Sequence, residues 1–231
     1  TKPKEMIIEA YSAGQRHFGE NYIQELVDKG NDQQILAECP DIRWHMIGHV
    51  QSNKVKKVVE VPNLHCIETV DSIKLATTIN NAVQKNLGDK KLKVFVQVNT
   101  SGEDNKSGIH PDRVNELVSH VLQNCAHLDL AGIMTIGAFD HDLTKGPNPD
   151  FQCMETKDVE LSMGMSNDFE HAILVGSTNV RVGSTIFGAR NVKNYGNALT
   201  NINYLLIFCC LGVYFTSLYF INICKCYFKN S

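Results

Sequence analysis

Short runs of β-branched and apolar residues alternate along the chain with longer amphipathic segments. The short runs predict strands at residues 17–20, 43–48, 64–68, 93–99, 129–134, 159–163 and 179–182. The longer segments predict helices at residues 4–13, 20–29, 51–60, 72–85, 111–123 and 168–175. Such an alternation favours an α/β fold with a parallel sheet and right-handed crossovers.

Polar residues collect directly after the predicted strands. Asn21 follows the first strand, His49 and Gln51 follow the second, and Thr135 follows the fifth. Seven strands are one fewer than a closed (β/α)8 TIM-type barrel requires, so we expect the first barrel strand to lie before Thr1. In such barrels the loops after the strands build the binding face, and we expect a site there.

Two segments depart from this pattern. Residues 135–158 are rich in Gly, Pro and Asp, and only residues 151–158 could form a helix, so one crossover helix is expected to be missing. Residues 204–224 carry no charge and are long enough to cross a bilayer. We expect either a membrane anchor there or an aberrant, unselected tail. The predicted organisation is a barrel at 1–190 and an atypical apolar tail at 191–231.

Composition narrows the functional classes. Hydrophobic residues make up 43% and charged residues 20%, as in a folded globular protein. A net charge of −3 gives no general attraction to nucleic acid or anionic lipid. Lys54, Lys56 and Lys57 are interpreted as a solvated helix face. The chain begins at Thr1 without a secretory leader, and we interpret it as a fragment of a non-secreted protein.

No metal site or catalytic residue is predicted. The eight cysteines show no CxxC spacing, which argues against a zinc site and a disulfide framework. His45 and His49 lie four residues apart in a strand-to-loop segment, where their side chains need not converge. We expect both histidines to serve in side-chain packing and in capping. No Ser/His/Asp or Cys/His arrangement is recognisable.

The segment GSTNVRVGSTIFGAR, residues 176–190, contains the strongest local motif. Its predicted strand runs into Gly183, Ser184 and Thr185. Glycine permits close approach of an oxyanion to the backbone, and successive N–H groups at a turn suit a phosphate. In barrels, phosphate sites favour the loops after the seventh and eighth strands.

Five blocks resemble, in order, those of the pyridoxal 5′-phosphate homeostasis protein family. They are FGENYIQE (18–25), WHMIGHVQSNK (44–54), QVNTSGEDNKSG (97–108), LSMGMSNDFEHA (161–172) and the glycine–serine segment above. The resemblance covers roughly residues 1–190. It implies a barrel of the alanine-racemase N-terminal type that carries pyridoxal 5′-phosphate (PLP) in intracellular vitamin B6 homeostasis, without established catalysis.

The resemblance also implies roles for individual residues. Ser166, Gly183 and Ser184 would hold the phosphate, Arg181 would face the pyridine nitrogen, and Asn21 and Met165 would line the ring. The family's Schiff-base lysine would stand immediately before Thr1 and is absent from this sequence. Lys2 is a weak substitute, since residues two apart on a strand face the same side.

The implied partners are PLP and the PLP-dependent apo-enzymes that would receive it. Binding to nucleic acid is not expected, and association with a membrane is expected only if residues 204–224 form an anchor. We expect a cytoplasmic location, with a mitochondrial pool as an alternative. Two other functions stay open: an amino-acid racemase or decarboxylase on the same barrel, and a defective truncated product that folds poorly because a strand and a crossover helix are missing.

Overall fold

The computed structural model describes residues 2–102, 107–137 and 159–188. In these ranges seven strands form one sheet, and each strand pairs in parallel with the next along the chain. The strands are β1 (His17–Glu20), β2 (Arg43–Met46), β3 (Leu64–Val70), β4 (Leu92–Gln97), β5 (Leu128–Met134), β6 (Glu160–Met165) and β7 (Asn179–Arg181). All seven predicted strands are confirmed, with ends that differ by at most two residues.

Eight α-helices lie in the same ranges. They are α1 (Lys4–Ser12), α2 (Ile23–Gly30), α3 (Gln33–Glu38), α4 (Val55–Val59), α5 (Ile73–Leu87), α6 (Val114–Asn124), α7 (Phe169–Leu174) and α8 (Ser184–Phe187). Short 3₁₀ turns at Ser52–Lys54 and Pro111–Arg113 lead into α4 and α6. The six predicted helices are confirmed.

Helix α3 was not predicted, although the sequence contains its start signal. The side chain of Asp32 accepts the backbone N–H groups of Gln34 and Ile35 at 3.0 and 3.1 Å. An aspartate that satisfies free N–H groups in this way is a strong N-cap. Only six residues follow it, too few to show a helical period, so the pattern alone did not reveal the helix.

Contacts between strands that are not neighbours show that the sheet is curled. Glu68 on β3 accepts a hydrogen bond from Ser162 on β6 at 2.6 Å. In a flat sheet, strands three positions apart would be separated by roughly 14 Å. The bond therefore requires the inner faces of β3 and β6 to approach across a barrel. The expected missing crossover helix falls at residues 138–158, which lie outside the described part of the chain.

The helices cover the outer face of the barrel. Side chains that are at most 2% exposed form this layer, among them Trp44, Ile67, Ile79, Val94 and Leu117. Because side chains alternate along a strand, the strand neighbours of Trp44, Ile67 and Val94 point inward. The inner face carries a small apolar cluster of Cys66, Phe95 and Met134, and also buried polar groups.

None of the helices in the described ranges is both long enough and apolar enough to span a bilayer. The predicted anchor at residues 204–224 lies outside those ranges.

Candidate functional site

Five of the six predicted cofactor residues meet at the carboxyl ends of β6 and β7. Met165 is the last residue of β6 and pairs with Arg181, the last residue of β7. Ser166 follows β6 directly, and Gly183 and Ser184 follow β7. Parallel pairing of two short strands thus brings together residues that are far apart in the sequence.

The hydroxyl of Ser166 organises the turn after β7. Its Oγ accepts the backbone N–H of Gly183 at 3.0 Å and that of Thr185 at 3.4 Å. Beside it, Asp168 accepts the backbone N–H of Met165 at 2.6 Å and fixes the end of β6. The space beside Gly183 is open among the described residues: apart from its two chain neighbours, none has an atom within 4 Å of the place where a Cβ would stand. Two N–H groups and a hydroxyl therefore border open space.

Arg181 is held below this turn by two hydrogen bonds. One terminal nitrogen donates to Oγ of Ser162 and the other to the carbonyl oxygen of Thr135, both at 2.7 Å. Burial lowers the pKa of Arg181 from its ordinary value, whereas the carboxylate of Glu68 opposes that shift. An arginine keeps its proton in such a setting, so the guanidinium is a fixed, half-buried cation.

Glu68 is the anion that balances this cation. Its carboxylate accepts hydrogen bonds from Nδ1 of His45 and Oγ of Ser162, both at 2.6 Å, and from Asn179 at 3.3 Å. Burial alone would raise the pKa of Glu68. The hydrogen bond and charge of His45, the charge of Arg181 and the Ser162 hydroxyl together lower it. The carboxylate is therefore ionised inside the barrel.

Sequence reasoning did not identify Glu68, Ser162 or Asn179 as members of a site. The available signal was a carboxylate inside LHCIETV, an otherwise largely apolar strand, since a charged group in a buried strand needs a partner. The identity of that partner could not be predicted, because Ser162 lies 94 residues further along the chain.

Asn21 lies in a different place from the other five predicted residues. It lines a cavity of about 290 Å³ at the carboxyl ends of β1 and β2, together with His49, Gln51, Lys54 and Lys57. Among the described residues, no hydrogen bond joins Asn21 to Ser166 or Arg181. Its predicted role beside a cofactor ring remains a prediction.

Lys2 reaches the same end of β7 from the beginning of the chain. Its Nζ donates to the carbonyl oxygens of Phe187 and Gly188 at 2.7 and 2.9 Å, at the carboxyl end of α8. The side chain thus connects the N-terminal segment to the residues that follow the glycine–serine turn.

His45 and His49 have different partners, in line with the expectation that they would not converge. His45 donates to Glu68 inside the barrel, whereas Nδ1 of His49 lies 3.5 Å from Asp71 near the surface. The three clustered lysines also have different surroundings. Nζ of Lys56 lies 3.7 Å from a carboxylate oxygen of Glu60, while Lys54 and Lys57 line the cavity beside Asn21.

Residues 5–191 match the family described as alanine racemase, N-terminal domain. The chain is 55% identical over 204 residues to a Bos taurus protein named pyridoxal phosphate homeostasis protein, covering 83% of this chain and 75% of that protein. Among solved structures, PipY of Synechococcus elongatus with PLP bound is 33% identical, with a TM-score of 0.66 over 80% of this chain and 88% of that one.

An alanine racemase of Clostridium difficile is also similar, with a TM-score of 0.58 over 77% of this chain and 46% of that one. At 16% identity, this likeness concerns the fold alone.

Proposed function

Because this chain belongs to the pyridoxal phosphate homeostasis protein family, we propose that it binds PLP at the carboxyl ends of β6 and β7. The observation that supports this placement best is the turn after β7, where backbone N–H groups and the Ser166 hydroxyl border open space. PipY, a solved relative of similar fold, is described with PLP bound. We propose a carrier role in vitamin B6 homeostasis for this chain.

The turn fits a phosphate group by its donors. The oxygen of Ser166 accepts the backbone N–H groups of Gly183 and Thr185, so its hydroxyl proton is available to donate to an oxyanion. Ser184 lies between them and would add its own N–H. With no side chain at Gly183, a phosphate could approach the backbone closely.

Arg181 supports binding without strong catalysis. In the proposed site its guanidinium would face the pyridine nitrogen of PLP. Since arginine only donates hydrogen bonds, that nitrogen would stay unprotonated, and an unprotonated ring withdraws electrons weakly. The hydrogen bonds to Ser162 and Thr135 hold the guanidinium in place, and the charge of Glu68, which Ser162 also contacts, favours the cation.

Bound PLP would supply an aldehyde that reacts with amines, and the protein's contribution would be to hold and orient it. Lys2 is the predicted weak substitute for the family's lysine. Its ammonium donates to two carbonyl oxygens at the carboxyl end of α8. To act as a nucleophile it would have to release both bonds and lose a proton, which agrees with a weak role. PLP-dependent apo-enzymes are the proposed recipients.

A racemase or decarboxylase remains the second hypothesis, supported by the fold shared with alanine racemases. The two functions are separated by incubating the PLP-loaded chain with L-alanine and measuring D-alanine and released CO₂. A carrier forms neither D-alanine nor CO₂. Steady formation of either product at substrate excess would contradict the carrier proposal and support an enzyme.

Replacing Ser166 with alanine should weaken PLP binding roughly 10- to 100-fold. The change removes a hydrogen bond to a charged phosphate, worth about 1.5–3 kcal/mol, and it loosens the turn at Gly183. Equilibrium dialysis with fluorescence detection of PLP measures the affinity. Ser12→Ala, at an exposed position on α1, is the matched control and should bind like the unchanged chain. Equal affinity of the two variants would remove Ser166 from the site.

A further inference from the structure

Three histidine rings meet near the amino-terminal ends of β1, β2 and β3, at the opposite end of the barrel from Ser166 and Gly183. The ring centroids of His17, His45 and His65 form a nearly equilateral triangle with sides of 5.1, 5.2 and 5.2 Å. One ring nitrogen from each residue lies within 4.8 Å of the other two. The proposed PLP site does not explain this arrangement.

A register shift between β2 and β3 brings His65 into the group. Trp44 pairs with Leu64, but the next residue of β2, His45, pairs with Cys66. His65 is therefore the extra residue of a bulge, and bulges re-aim side chains. With regular alternation His65 would point away from the face that carries Cys66.

The triangle has the size that a tetrahedral metal ion imposes on three imidazoles. A zinc–nitrogen bond of about 2.0–2.1 Å places each ring centre roughly 3.2 Å from the ion, and tetrahedral angles then separate the centres by about 5.2 Å. Nδ1 of His17 and Nε2 of His45 now lie 2.8 Å apart. They would separate by about half an ångström when an ion takes the place of the proton between them.

We propose that His17, His45 and His65 bind a divalent transition-metal ion, with Zn²⁺ as the expected metal. Three histidines with a fourth open position are an established zinc ligand set, and imidazole is a ligand that Zn²⁺ accepts readily. The inference departs from the sequence prediction, which considered only His45 and His49. It is independent of the proposed PLP site.

Glu68 supplies the outer support that metal-binding histidines usually have. Nδ1 of His45 donates to its carboxylate at 2.6 Å, which directs Nε2 toward His17. A carboxylate behind a ligating histidine fixes the tautomer and raises the basicity of the ring. The buried negative charge of Glu68 also offsets part of the charge of a divalent ion.

An arginine borders the histidine cluster. Arg43 lies 3.3 Å from Nε2 of His17, but its side chain is exposed and can turn into solvent.

An access route lies beside the cluster. A cavity of about 510 Å³ is bordered by His65 and Arg43, and also by Asp41. It would admit the ion and leave room for a water molecule as the fourth ligand.

The test is a calorimetric titration of the chelator-treated full chain with ZnCl₂. We expect one strong site, and we expect His17→Phe together with His65→Phe to weaken zinc binding by roughly 100-fold or more. Phenylalanine keeps a ring of similar size, so packing is largely preserved. His120→Phe on α6, a half-buried histidine outside the cluster, should leave the affinity unchanged.

A titration with CoCl₂ identifies the ligands. Nitrogen ligation gives visible d–d bands without the near-ultraviolet charge transfer of a cobalt–thiolate bond, so binding by cysteines would be recognised. The proposal is overturned if the double variant keeps the strong site, or if the bound cobalt shows thiolate bands. If the double variant unfolds, each single variant is compared with His120→Phe instead. PLP affinity should be unaffected by the histidine changes, so this result and that for Ser166 are independent.

Discussion

Replacing Arg181 with methionine should lower the free energy of unfolding by about 3–5 kcal/mol, because it removes two hydrogen bonds made by a charged group and the positive charge that stabilises the buried Glu68 carboxylate. Glu68 is 1% exposed and its pKa is lowered partly by the charge of Arg181. Ser162 would lose the donor that now reaches its oxygen at 2.7 Å, and the carbonyl of Thr135 would lose its partner. Urea unfolding followed by far-ultraviolet circular dichroism measures the loss.

The matched control is Arg113→Met. Arg113 is exposed and pairs with Glu116 on the surface at 3.1 Å, so its loss should cost less than about 1 kcal/mol. Adding Glu68→Gln to Arg181→Met should recover part of the stability, because the uncompensated charge disappears. If Arg181→Met costs no more than Arg113→Met, the hydrogen bonds and charge of Arg181 do not hold the site together.

Replacing Gly48 with alanine should destabilise the chain by about 3 kcal/mol or more. Gly48 follows β2, and an added Cβ would overlap the backbone carbonyl group of Asn21, which follows β1. Backbone atoms on both sides cannot move aside as a flexible side chain could, so the ends of β1 and β2 would have to separate. The midpoint of urea unfolding reports the loss.

Gly183→Ala provides the contrast. In the described part of the chain its Cβ would meet no atom within 4 Å beyond its chain neighbours, so we expect stability within about 0.5 kcal/mol of the unchanged chain. In the proposed site the same methyl group would occupy space beside the phosphate, so PLP affinity should fall. A stable Gly48→Ala variant would contradict the close packing of the two strand ends. A Gly183→Ala variant with unchanged PLP affinity would place the phosphate elsewhere.

The sequence alone located the seven strands of the described part of the chain and six of its eight α-helices. The short β-branched runs and the amphipathic segments between them are local patterns, and they arise because a sheet covered by helices must bury one apolar face of each element. The glycine–serine turn could be proposed as a phosphate site because its signal is local: Gly183, Ser184 and Thr185 are consecutive. Helix α3 was not predicted because six residues are too few to show a helical period.

The interior of the barrel was decided by tertiary structure. Glu68, Ser162 and Arg181 meet only because the sheet curls until β3 faces β6 and β7, and no local pattern specifies which inward side chains will then face each other. The three histidines depend on the bulge that turns His65 toward His17 and His45, a shift of one residue in strand register. Periodicity sets which face a side chain belongs to, but its partners depend on curvature and register, which arise from the packing of the whole barrel.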